Sequence, residues 1–156
     1  MRVAICAVGR LRAGPERVLL DDYLKRFDRT GRGLGLGPAS VVEVEDRKGG
    51  GPSGEAQRLE KVLPEGAVIC VLDERGAVLS SPDFAERLGG WRDAGRSAVA
   101  FVIGGADGLD AALRDRAEMR LSFGKMVWPH MLARVMLAEQ LYRAAAILAG
   151  TPYHRA

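Results

Sequence analysis

Imidazole is the side chain best suited to moving protons near neutral pH, and this chain holds two of them, His130 and His154. His154 lies in the closing stretch "TPYHRA", between the aromatic ring of Tyr153 and the fixed cation of Arg155. Chain ends usually fray, so taken alone this stretch reads as a solvated tail. His130 follows Pro129 in "VWPHML", in the first turn of a helical pattern. Alone it reads as a hydrogen-bonded, structural imidazole near a helix N-terminus. Arg143 stands four residues after Glu139. That spacing suits an intrahelical ion pair worth about 0.3–0.5 kcal/mol; the alternative is an arginine that faces a phosphate or a substrate.

Three other stretches offer backbone rather than side chains. In "VLDERG", Leu72 and Asp73 leave an apolar run. In "VIGGADGL", Gly104 and Gly105 close another, and Gly108 precedes a helical segment. Such glycines let a backbone approach a ligand closely, although a plain turn needs them too. The spacing is neither the dinucleotide G-x-G-x-x-G nor the phosphate loop G-x-x-x-x-G-K-[ST]. The third stretch is "LSFGKMVWPHML", where Phe123, Gly124, Lys125, Met126, Val127 and Trp128 join a strand to a helix. It is apolar for a surface connection and is expected to line a pocket or an interface.

The elements that must position these residues alternate between strand and helix. Short apolar runs over 2–8, 67–73 and 97–105 read as buried strands. The run 40–45 alternates and reads as a strand with one polar face, and 118–123 is a short last strand. Helical spacing marks 15–29, 55–63, 81–95, 109–117 and 129–150. Ser81 is the expected N-cap of the third helix, with Pro82 after it. Phe84, Leu88 and Trp91 mark its buried stripe. The glycine-rich stretch 46–54 reads as a mobile loop. Together these predict a single α/β domain over 1–156: five strands in a mostly parallel sheet, with helices on both faces. In open sheets of this kind, ligands bind at the carboxyl ends of the strands. The last helix has only Arg134, Glu139, Gln140 and Arg143 as polar residues along most of its length, so an interface between subunits is expected.

Composition sets the outer bounds. The 156 residues are 47% hydrophobic and 28% charged, which suits a globular protein with a real core. No stretch is long and apolar enough for a membrane span, and a cytoplasmic protein is expected. Cys6 and Cys70 lie in apolar runs and read as small buried hydrophobes, with no metal site or disulfide expected. The net charge is +3. The segment 10–32 has seven basic residues (Arg10, Arg12, Arg17, Lys25, Arg26, Arg29, Arg32) against four acids, while the other residues balance at sixteen of each sign. A basic segment on a neutral body suits a polyanionic partner; a solvated helix face is the plainer reading.

"VIGGADGL", "LSFGKMVWPHMLARVMLAEQLYRA" and the closing "PYHRA" together resemble one family. It comprises the small large-subunit (23S) ribosomal RNA methyltransferases that act on N(3) of a pseudouridine, within the knotted SPOUT class. The likeness runs from "AVGRL" to the chain end and is poorest over about 30–55. It implies S-adenosylmethionine as methyl donor, a C-terminal trefoil knot, a homodimer, and ribosomal RNA as partner. It places the cofactor at Leu72, Gly104 and the loop Phe123, Gly124, Lys125, Met126, Val127 and Trp128. The target nitrogen must lose a proton, so His154 is the expected base, with His130 the other candidate. Arg143 and Arg155 are expected to hold a phosphate or developing negative charge, and Tyr153 to stack on or bond to the base. The competing expectations are a SPOUT enzyme acting on tRNA and a non-catalytic RNA-binding module.

Overall fold

The computed structural model describes residues 1–46 and 50–155. Residues 47–49 of the expected glycine-rich loop lie outside the described residues. Five strands form one sheet: β1 (Arg2–Val8), β2 (Ala39–Val44), β3 (Val68–Val78), β4 (Ala98–Ile103) and β5 (Met119–Ser122). Their order is β2-β1-β4-β3-β5, and every pairing is parallel. Parallel neighbours need crossover connections, and helices supply them: α1 (Pro15–Gly31), α2 (Gly51–Val62), α3 (Ser81–Asp93), α4 (Ala111–Arg116) and α5 (His130–Ala149).

The period of two along the strands divides the core. Val3, Ile5 and Ala7 face one layer with Phe101 and Ile103, against α1, α3 and α5. Ala4, Cys6 and Val8 face the other with Ala100 and Val102, against Ala56 and Leu59 of α2 and Leu113 of α4. The expected helices on both faces are therefore present. Both cysteines are buried free thiols, and burial pushes Cys6 up to about 11 and Cys70 up to about 12. Among the described residues, no group of His, Cys, Asp or Glu is placed to hold a metal ion, and no helix is long and apolar enough to cross a membrane.

Four expectations change. The cap of α3 is Ser80, whose Oγ accepts from the Asp83 N–H at 3.2 Å. Ser81 is the first helical residue and bonds instead to Gln140, 2.7 Å away. Helix α2 begins at Gly51, inside the stretch read as loop, because Pro52 can occupy a first turn where no N–H partner is required. Strand β3 runs on to Val78, since Ala77 and Val78 resume pairing with β5. Finally, the apolar girth of α5 is largely used within the chain. Val135, Leu137, Ala138, Leu141, Ala144 and Ala145 join the core shared with α1 and α3, leaving Met131 and Leu132 exposed.

Arg134 ties α5 to the carboxyl ends of β1 and β2. Its side chain is 3% exposed, and it donates to Glu43 at 2.7 Å and to the carbonyls of Val8 and Gly9 at 3.1 and 2.8 Å. A buried guanidinium without these partners would be costly. Burial alone would raise the Glu43 carboxyl, but the Leu11 N–H and Arg134 outweigh it and hold the group below the usual carboxylate range.

Candidate active site

Three strand ends meet on one side of the sheet. β3 ends its first run at Leu72, β4 ends at Ile103, and β5 leads into 123–128. Together they enclose a cavity of about 540 Å³. Leu72, Gly104, Phe123, Gly124, Met126, Val127 and Trp128, which the resemblance gives to the cofactor, line it. Lys125 does not: it is exposed, with its neighbours on the wall. His130 borders the same cavity, so the residue read as structural when taken alone stands beside the expected cofactor site.

The glycines of "VIGGADGL" have a reason beyond ligand approach. A Cβ on Gly104 would lie 2.9 Å from Leu109 Cδ2 and 3.0 Å from the Gly108 carbonyl oxygen. One on Gly105 would lie 2.6 Å from Glu55 Oε1. The chain itself fills both positions, leaving only backbone to face the cavity.

The segment 73–76 is an excursion from the sheet. Leu72 and Ala77 both stand opposite Leu121, so four residues leave and return around one register position. A Cβ on Gly76 would meet the Arg120 carbonyl carbon and oxygen at 2.6 Å, so two backbones cross there. Ser122 Oγ lies 3.1 Å from the carbonyls of Glu74 and Gly124, donating to one at a time, and accepts from the Gly124 N–H.

The tail forms a second cluster, centred on Glu139. Tyr153 donates to Glu139 Oε1 at 2.9 Å; Arg143 donates to the same oxygen through Nε at 3.0 Å and Nη2 at 2.5 Å. Gln140 donates to Oε2 at 2.8 Å. The spacing of four is thus an intrahelical pair, and it also holds the tail. Arg143 lies over the Tyr153 ring at 4.8 Å, and its Nη1 is 3.2 Å from His154 Nδ1. A guanidinium only donates, so Nδ1 accepts and a neutral His154 carries its proton on Nε2. Burial first, then the bond and charge of Glu139, push the Tyr153 phenol well above its usual range, so it stays protonated. Arg155 is exposed.

Rings carry this cluster to the basic segment. Tyr153 lies 4.5 Å from Tyr142 between centroids, and Tyr142 lies 6.4 Å from Tyr23 on α1. Arg26 stands over Tyr23 and Tyr142 at 5.7 and 5.9 Å. All seven basic residues of 10–32 are exposed. Arg17 pairs with Asp21 and Arg26 with Asp22, so part of their charge is answered locally.

Glu139 stands in the sequence as a partner for Arg143, Ser81 as a cap and Gln140 as a polar helix residue, with no functional signal on them or on Tyr23; Tyr23, Ser81 and Gln140 border a second groove of about 460 Å³. For Glu139, a carboxylate four residues before an arginine was the one structural signal. Glu139 also borders that groove, whereas Arg143, Tyr153, His154 and Arg155 line neither opening. The tail and the 540 Å³ cavity of one chain are therefore separate places.

Comparison with known proteins identifies the family. The family described as "Predicted SPOUT methyltransferase" matches residues 1–154. The "Ribosomal RNA large subunit methyltransferase H" of Dinoroseobacter shibae is 79% identical over 155 residues, spanning 99% of both chains. Proteins of the same name from Ruegeria pomeroyi and Cereibacter sphaeroides are 71% and 67% identical over the same span. Among solved structures, a probable methylase family protein from Haemophilus influenzae shares the fold at a TM-score of 0.51 and 12% identity, over 99% of this chain and 70% of that one. With the family matched from the first strand to the tail, and its motifs gathered at the strand ends, this chain belongs to the SPOUT methyltransferase family, alongside the large-subunit ribosomal RNA methyltransferases it so closely resembles.

Proposed function

We propose that this protein uses S-adenosylmethionine to methylate N(3) of a pseudouridine in large-subunit (23S) ribosomal RNA, working in the cytoplasm as one domain. The observation that carries this reading is the meeting of Leu72, Gly104 and 123–128 in one cavity. The residues fit the cofactor. Leu72, Ile103, Leu109 and Trp128 offer apolar walls for a purine, and the glycine backbone offers hydrogen-bonding groups between them. Lys125 is left with an outward role at the cavity mouth. When bound, S-adenosylmethionine supplies a methyl group made electrophilic by its sulfonium.

The chain's own part is positioning and proton movement. His154 takes the proton of the target imide, and His130 orients the loop from the cavity wall. Arg143 occupies Nδ1 of His154, so it must turn away first. An RNA phosphate provides the reason, since a guanidinium binds it with two parallel bonds. Arg155 holds a neighbouring phosphate. Tyr153, kept protonated, stacks or donates rather than accepting the proton.

We infer a homodimer in which one copy's tail meets the other copy's cavity. The separation of tail and cavity within one chain supports this. So do the exposed Val18, Leu19 and Val78, of which Leu19 and Val78 border the 460 Å³ groove. The excursion at 73–76, closed over Arg120–Ser122, supports a knotted C-terminal half. Contact of the basic segment with RNA is supported by its continuity with the tail through Arg26, Tyr23 and Tyr142.

The test is methylation of ribosomal particles from a strain lacking this protein, followed by mass mapping. One methyl on a single pseudouridine of the large-subunit RNA is expected. Methyl transfer to tRNA, or none at all, sinks the assignment. Undiminished methylation by His154→Ala across the pH range removes the base role. Charge reversal at Arg26 and Arg29 should weaken ribosome binding and lower its salt dependence; unaltered binding removes that contact.

A further inference from the structure

Glu55 is a buried carboxylate that the proposed reaction does not use. It is 5% exposed on α2, beneath the sheet face opposite α5. No lysine or arginine among the described residues is paired with it; its hydrogen-bond donor is the Gly105 N–H, 3.4 Å away. An unpaired carboxylate is costly to bury. An apolar side chain, like the adjacent Ala56 or the nearby Leu59, would fill the position without that cost. The carboxylate therefore matters for what it does to Gly105.

The peptide between Gly104 and Gly105 is trans and planar. Its N–H and C=O point in opposite directions. An N–H turned toward Glu55 sends the Gly104 carbonyl away from α2. The peptide is also confined at Gly104, whose Cβ position is closed by Leu109 and the Gly108 carbonyl. Gly108 N–H donates to the Gly105 carbonyl at 3.0 Å, which ties down the next peptide. Both glycines line the 540 Å³ cavity, whereas Glu55 does not.

We propose that Glu55 is a positioning residue: by holding the Gly105 N–H from behind, it aims the Gly104 carbonyl into the cavity as an acceptor for a donor group of S-adenosylmethionine. This rests on the cavity being the cofactor site. Alanine at 55 removes the anchor, whereas glutamine keeps an acceptor oxygen. Methyl addition at Gly105 disturbs the same contact from the other side.

Calorimetric titration of the full chain with S-adenosylmethionine tests the proposal. Glu55→Ala should raise Kd by about tenfold or more, and Glu55→Gln should stay within about threefold of the wild type. Gly105→Ala should also weaken binding, and much less so in the Glu55→Ala background, where the oxygen 2.6 Å from the new Cβ is gone. Exchange of the Gly105 amide, followed by NMR without cofactor, should quicken in Glu55→Ala and not in Glu55→Gln. A wild-type Kd in Glu55→Ala overturns the proposal, as does a glutamine variant as weak as the alanine one. If Glu55→Ala does not fold, Gly105→Ala decides, and wild-type affinity there overturns it. A wild-type chain that takes up no S-adenosylmethionine overturns the cavity reading instead; amide exchange then still upholds or refutes the anchor by itself.

Discussion

The cavity at the strand ends and the cluster around Glu139 differ in what they are made of. The cavity is walled by backbone and apolar side chains from three strand ends, and its shape comes from how closely those backbones pass. The tail cluster is held by side chains: Tyr153, Arg143 and Gln140 converge on one carboxylate, with Tyr23 and Arg26 continuing the contact onto α1. A backbone site is rigid and suits a ligand that must be the same every time. A side-chain cluster can exchange partners, and an arginine shared between Glu139 and His154 is a contact that a phosphate can take over. Under the proposed function, the first region holds the cofactor and the second handles RNA.

The largest expected effect bears on the rigidity of the first region. Gly76→Ala forces a Cβ against the Arg120 backbone, which cannot yield as a side chain would. A loss of about 3 kcal/mol in urea unfolding is expected; a loss under about 1 kcal/mol would mean that the crossing is loose. Next comes Glu139→Gln, which removes the charge gathering the tail. It should lower kcat about 30-fold, or about 2 kcal/mol, while cofactor Kd in calorimetry stays within about twofold. A matching change in Kd would merge the two regions. Trp128→Ala should do the reverse, weakening cofactor binding about tenfold with the Glu139 cluster intact.

The smallest effect concerns Glu43, which joins α5 to the sheet without belonging to either region. Its folded carboxyl titrates below its unfolded value. The stability it contributes is therefore complete above the unfolded value of about 4.5 and is lost as pH falls through the lower, folded value. Glu43→Gln should cost about 1 kcal/mol at pH 7 and reduce the acid sensitivity of unfolding below pH 4.5. An unchanged slope would mean that Arg134 is satisfied by the Val8 and Gly9 carbonyls alone.

Apolar periodicity and glycine or proline punctuation are local, so the alternation of five strands and five helices, both sheet faces and the three strand ends are legible in the residues alone. The wall of the 540 Å³ cavity is largely legible too, since 123–128 is contiguous; Lys125 is the residue of that stretch that does not line it. Helix boundaries moved where a cap is a matter of geometry, as at Ser80 and Gly51. What depends on distant residues meeting is set by the folded arrangement. The excursion at 73–76 needs β5 beside it, and Glu55 meets Gly105 fifty residues away. Tyr153 reaches Glu139 because α5 ends one turn before it folds back. Periodicity reports which face of an element is apolar; it carries no record of which other element will cover that face, and both the tail cluster and the Glu55 anchor are made by such coverings.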